Sequence, residues 1–187
     1  MSDRSADPNE RPAADPNERP AAASDRSPPD PTVAVPQVPV DDLVVDANVD
    51  RFRRRAAELP DGVDLAVFPE YALTGFAADD RLREAALPRG EARERLESVA
   101  EAAGAAVVAG YAERDGETVY NAAAYVPPPD RAAGDDSGSA ATADRGEHAV
   151  YRKRHLWGDE AEWVEPGEAR VVVETAAGPT GLLTCCD

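Results

Sequence analysis

Lysine is almost missing from this chain. Of its 20 basic residues, 19 are arginine and one is Lys153, in the stretch "YRKRHLW" (Tyr151–Trp157). A surface charged with guanidinium groups offers no compositional reason for a single ammonium, so that position needs a chemical one. Cysteine is scarce too, and its two copies, Cys185 and Cys186, are neighbours. Bridges that staple a fold join cysteines far apart in sequence, so no disulfide framework is on offer. A redox motif would want two residues between the thiols. Aromatic residues make up only 5%. No apolar run approaches a membrane span, and the N-terminus lacks the apolar stretch of a signal peptide. A cytoplasmic location is therefore expected. The only histidines are His148 and His155. No further ligands stand at suitable spacing, so no metal site is expected.

Acidic residues are abundant: 37 against the 20 basic ones, for a net charge of −17. Such a chain repels nucleic acid and anionic membranes, which both need a basic footprint. High acidity, one lysine and small apolar residues fit a protein that works in concentrated salt, where screening cancels self-repulsion. A GC-rich gene would also favour arginine. Folding without added salt would speak against the salt reading.

The chain of 187 residues suits one domain with a tail. Residues 1 to about 31 repeat "ADPNERPA" and show no periodic apolar face, so a disordered extension or a misplaced start codon is expected. From Thr32 the texture changes. "TVAVPQVPV" (Thr32–Val40) reads as a buried strand interrupted at Pro36. "DANVDRFRRRAAEL" (Asp46–Leu59) reads as a helix with Val49, Phe52, Ala56 and Leu59 inward. "DLAVFPE" (Asp64–Glu70) reads as a central strand. "EARERLESVAEAAG" (Glu91–Gly104) reads as a second helix, capped by Gly104, with Leu96, Val99, Ala100 and Ala103 inward. Two apolar runs flank Asp115-Gly116, a hairpin signal. Pro127–Glu147 reads as a long loop. "HAVYRKRH", "RVVVET" and "GLLTCC" read as three more strands. The order predicts an α/β domain with a mixed sheet covered on both faces.

Three reactive side chains fall where these strands end: Glu70, Lys153 and Cys185. Ligands of α/β sheets gather beyond the carboxyl ends of strands. Carboxylate, ammonium and thiol make a set for acyl transfer, as base, oxyanion partner and nucleophile. Taken singly, each has a plainer reading: a turn residue, a solvated strand residue, a small core side chain.

The blocks "VAVPQVPVDDLVVDANVDRFRRRAAEL", "DLAVFPEYALTGF", "YRKRHLWGDEAEWVEPGE" and "GLLTCCD" resemble successive blocks of the nitrilase superfamily, the carbon–nitrogen hydrolases. The resemblance runs from about Val33 to Asp187, within a domain placed at 32–187. It implies Cys185 as nucleophile, Glu70 as general base and Lys153 as the third catalytic residue. It implies Glu160 as a substrate-positioning glutamate, with Glu162 a nearby alternative, and the backbone N–H of Cys186 as an oxyanion donor. It further implies an αββα four-layer sandwich that dimerises. The activity implied is hydrolysis of a small amide, carbamoyl or nitrile substrate, with amides favoured and neither metal nor organic cofactor.

Family members continue well beyond the nucleophile, whereas this sequence stops two residues after Cys185. The sandwich is therefore expected to be incomplete at its C-terminus. Two readings follow: an amidase-like enzyme whose chain is truncated, or a non-catalytic remnant or module whose sheet a second chain completes. The polypeptide alone is expected to be inactive.

Overall fold

The computed structural model describes residues 30–129, 142–143 and 146–187. The expected N-terminal tail, except for its last two residues, and most of the expected loop Pro127–Glu147 lie outside them. A five-stranded mixed sheet runs in the order β1 (Val33–Ala34), β2 (Leu65–Val67), β3 (Ala106–Asp115), β4 (Thr118–Val126), β6 (Ala149–Arg152). The first three strands are parallel and the last two antiparallel to their neighbours. A second sheet holds β5 (Thr142–Ala143), β7 (Val171–Thr175) and β8 (Gly178–Leu182) in that order.

Side chains alternate across a strand, and here that alternation sorts the core into two. Val107, Ala109 and Tyr111 of β3 pack with Phe52, Leu96 and Val99 of the helices. Ala106 and Val108 pack on the other face with Tyr151 of β6 and with Val173 and Leu182 of the second sheet. The molecule is thus layered helix, sheet, sheet. That is the α/β architecture expected. The fourth layer of the implied sandwich is not among the described elements.

Helix α1 (Val45–Ala56) buries Val49, Phe52 and Ala56 at helical spacing, and three of its four arginines, Arg53, Arg54 and Arg55, close the last turn. Cations there complement the C-terminal end of the helix dipole. Helix α3 (Arg89–Ala103) buries Ala92, Leu96, Val99 and Ala100, and Gly104 ends it in the left-handed region. Phe52 and Leu96 are fully enclosed. Each such side chain stabilises the fold by about 1.5–3 kcal/mol. A short α2 (Arg81–Ala85) and a 3-10 helix (Gly158–Glu162) complete the set. No helix among the described residues is long and apolar enough to cross a membrane.

Two expected strands are corrected. Thr32–Val40 is not a buried strand: β1 is two residues long at the sheet edge, with Val33 and Val35 exposed. Pro36 has no N–H to extend the ladder. "GLLTCC" is not a strand either. β8 begins earlier, because Ala176 and Ala177 form a two-residue turn that pairs Thr175 with Gly178. The strand ends at Leu182, Leu183 is exposed, and Thr184–Asp187 form a turn. Helix α1 also stops three residues short of Leu59, which still packs partly buried against the core. The Asp115-Gly116 hairpin joins β3 and β4 as expected, with Gly116 at a positive φ.

Candidate active site

The site lies where β2, β6 and β8 hand the chain to loops. Past β2, Phe68 still donates to the carbonyl of Val108 at 2.8 Å, and Pro69 accepts the N–H of Gly110 at 3.1 Å. The chain then turns at Glu70 and Tyr71, directly over β3. A Cβ on Gly110 would lie 2.5 Å from the Tyr71 nitrogen and 2.7 Å from the Glu70 Cα. Only glycine permits that approach. Tyr71 takes φ 52, a left-handed conformation that side chains disfavour. The turn swings Glu70 off the strand axis.

Lys153 directly follows β6 and is buried, at 3% exposure. Its N–H continues the ladder to Asn121 at 2.7 Å, and its carbonyl accepts Gly167 at 2.8 Å. Its ammonium donates to Glu70 Oε1 and to Glu160 Oε2, both at 2.9 Å. Asn121, from β4 and fully buried, donates through one amide nitrogen to Glu70 Oε1 and Glu160 Oε1, each at 2.6 Å. The Tyr71 hydroxyl donates to Glu160 at 2.9 Å and the Trp157 backbone N–H at 3.2 Å.

These partners set the charges. Burial alone would raise the pKa of Glu160, but the bonds from Lys153, Asn121, Trp157 and Tyr71 hold it below the usual carboxylate range. Burial likewise opposes a charged Lys153, and its bonds to Glu160 and Glu70 outweigh that and keep it above an ordinary lysine. Burial, then the charge of Glu160, pushes the Tyr71 hydroxyl far upward, so it stays a donor. Buried charges persist only when paired and hydrogen-bonded, and both conditions are met here.

Cys185 sits three residues past β8, exposed, at φ 53. Its turn is tied down by Asp187. That carboxylate accepts the backbone N–H groups of Thr184, Arg154 and His155 and the hydroxyl of Tyr151. The negative charge of Glu70, ahead of all other causes, raises the Cys185 thiol above its ordinary pKa, while Lys153 pulls it down.

Glu70, Lys153, Glu160 and Cys185 all line one cavity of about 530 Å³. The structure therefore brings together four of the side chains singled out in the sequence. Glu160, not Glu162, is the buried one. Cys186 is exposed, and its thiol reaches the His155 carbonyl at 3.7 Å. His148 is buried 3.1 Å from Glu97, away from the site, and His155 is exposed beside Asp187. Among the described residues no cluster of three or more His, Cys, Asp or Glu side chains is placed to hold a metal ion. Sequence reasoning missed Asn121 and Tyr71. Asn121 carried a signal in hindsight, as the one amide in the apolar run "NAAAYV" of a central strand.

The carbon–nitrogen hydrolase family model matches residues 32–187. A nitrilase from Pyrococcus abyssi is 34% identical over 131 residues, covering 67% of this chain and 44% of that protein. An (R)-stereoselective amidase from a Pseudomonas species is 30% identical over 141 residues, covering 75% and 46%. Among solved structures, a CN-hydrolase superfamily protein from Xanthomonas campestris superposes with a TM-score of 0.66 at 22% identity, covering 82% and 52%. An amidase from Nesterenkonia gives a TM-score of 0.64 at 24% identity, covering 82% and 54%. The chain spans about half the length of these relatives.

Proposed function

The chain belongs to the carbon–nitrogen hydrolase family, and from that premise we propose that its cavity hydrolyses a non-peptide amide through a thioester on Cys185. Carbamoyl and nitrile carbons are the related alternatives. Glu70 takes the thiol proton as sulfur attacks the carbonyl carbon. The C=O electrons move onto oxygen, and Lys153 and the Cys186 N–H stabilise the oxyanion. The tetrahedral centre collapses, the C–N bond breaks, and ammonia or an amine leaves with the proton from Glu70. Glu70 then takes a proton from water, which attacks the thioester. The carboxylic acid leaves and the thiol is restored.

The observation that carries this reading is the pair of hydrogen bonds that Lys153 donates, one to Glu70 and one to Glu160, in the cavity that Cys185 lines. An ammonium has three donors. Two are committed, and the third remains for an oxyanion. Both bonds received by Glu70 fall on Oε1, which leaves Oε2 for proton transfer. Glu160 is saturated by four donors and serves to hold Lys153 and Tyr71 in place. A thiol raised by Glu70 rests protonated, which suits activation by a base during attack.

The test is ammonia release from simple aliphatic amides by the 187-residue chain, with intact mass reading an acyl adduct on Cys185. Both signals, lost in Cys185→Ser, support the hydrolase and overturn the expectation that this polypeptide alone is inactive. Absence of both rejects it for this polypeptide and favours a module whose sheet another chain completes.

A further inference from the structure

The cavity around Cys185 is lined by four carboxylates, Asp42, Glu70, Asp159 and Glu160, and by one ammonium, Lys153. Neither arginine nor histidine is among the described lining residues. The ammonium is no anchor for an anionic group elsewhere on a substrate, because Glu70 and Glu160 hold two of its donors at 2.9 Å each and the proposed hydrolysis gives the third to the oxyanion. Asp42 and Asp159 are exposed, so their charge falls on whatever enters. Arg81 stands close enough to Asp42 to feel its charge, but its guanidinium bridges both oxygens of Asp79. The chain as a whole adds a net −17 to the same sign. A cleft lined by one sign of charge focuses its field on an entering molecule.

The uncharged part of the lining is apolar. Val40, Phe76 and Trp157 contribute to it, and Trp157 is 75% exposed. Phe76 rests against the Tyr71 ring at 5.0 Å between centroids, which fixes its place beside the site. Exposed aromatics in a cavity wall offer surface to a ligand, since they bury little against the protein itself.

We propose that this cavity accepts amides with an apolar acyl portion that is neutral or positively charged, and rejects those bearing a carboxylate or phosphate near the scissile carbonyl. The inference rests on Cys185 as the nucleophile of the proposed hydrolase. It concerns which molecules reach that sulfur, and so can be read without turnover.

The experiment labels Cys185 in the full chain carrying Cys186→Ser. Two methanethiosulfonates of similar size are compared, one ending in trimethylammonium and one in sulfonate. Intact mass gives each rate, normalised to that of N-acetylcysteinamide. The cationic reagent is expected to be favoured at least tenfold. Asp42→Asn and Asp159→Asn should each shrink that ratio. Asparagine at 42 keeps an oxygen for the Phe76 N–H, which Asp42 accepts at 3.2 Å. A ratio near one overturns the proposal, as does one that both variants leave unchanged. So does a ratio that persists in concentrated urea, which would belong to the chain and not to the cavity. In parallel, kcat/KM is compared for hexanamide, 6-aminohexanamide and the monoamide of adipic acid, with the acid expected at least tenfold lower. Labelling preference without any ammonia release would reject the hydrolase and leave standing only the charge selectivity of access to Cys185. Ammonia release without the preference would do the reverse.

Discussion

The carboxylate of Asp187 accepts the backbone N–H of His155 at 2.9 Å, and through that bond the turn carrying Cys185 is fastened to the segment carrying Lys153. The same carboxylate takes the Arg154 N–H at 3.0 Å and the Tyr151 hydroxyl at 2.5 Å. It also closes its own turn through Thr184. Its bonds to Tyr151, His155, Thr184 and Arg154 outweigh its burial and hold it below the usual aspartate range.

Asp187→Ala should therefore loosen the turn of Cys185, the proposed nucleophile, without touching its side chain. The hydroxyl and three N–H groups lose their acceptor, at roughly 1–3 kcal/mol for each donor left buried and unpaired. Urea denaturation should show the loss. Alkylation of Cys185 should no longer follow a pH profile shaped by Glu70 and Lys153. An unchanged profile would show that the tie positions nothing.

Lys153→Arg is expected to fold and to lose most Cys185 acylation, by 100-fold or more. A planar fork cannot give one donor to each of two carboxylates and a third to an oxyanion within the same small volume. Lys153→Met is expected to cost roughly 3–5 kcal/mol, because Glu160 would stay buried without its counter-ion. Thermal melts and acylation rates separate the two effects. Near-normal acylation by the arginine variant would remove the chemical reason for the lone lysine.

Stability should fall in acid. Glu160 and Asp187 both have folded pKa values below those of the unfolded chain. Their contribution is complete above the ordinary carboxylate range, near pH 4, and is lost as pH drops through the folded values. Lys153 works the other way, since its raised value adds stability that disappears only in strong alkali. Glu160→Gln should flatten the acid limb of the stability curve. An unaltered limb would show that Glu160 is not one of the groups that titrate there.

Gly110→Ala should destabilise the fold by more than a typical surface change, by about 1–3 kcal/mol, since its Cβ would press on the Glu70–Tyr71 backbone. It should also slow Cys185 acylation by displacing Glu70. Wild-type urea midpoint and acylation rate together would contradict the close approach as a functional constraint.

Much of this was legible in the chain. The helices announced themselves through spacing, as with Val49, Phe52 and Ala56, because one buried face per helix imposes a 3.6-residue period. The hairpin at Asp115-Gly116 was equally local. The strand around Pro36 and the one in "GLLTCC" misled, because an apolar run records burial and not conformation. The residues Glu70, Lys153 and Cys185 stood out by type and by family resemblance, and Glu160 by the resemblance alone.

The sequence by itself determined the layered α/β class, through its periodicities, and the inventory of reactive groups. It also determined that one lysine would have to be explained. The tertiary structure alone decided that Lys153 lies between two carboxylates, that Asn121 bridges the same pair, and that Asp187 holds the turn carrying Cys185. It also decided the left-handed backbone at Tyr71 and Cys185. The reason is physical. Periodicity is a local consequence of backbone geometry, whereas these contacts, except Lys153 to Glu160, join residues 32 to 83 positions apart, brought together only when the sheet assembles.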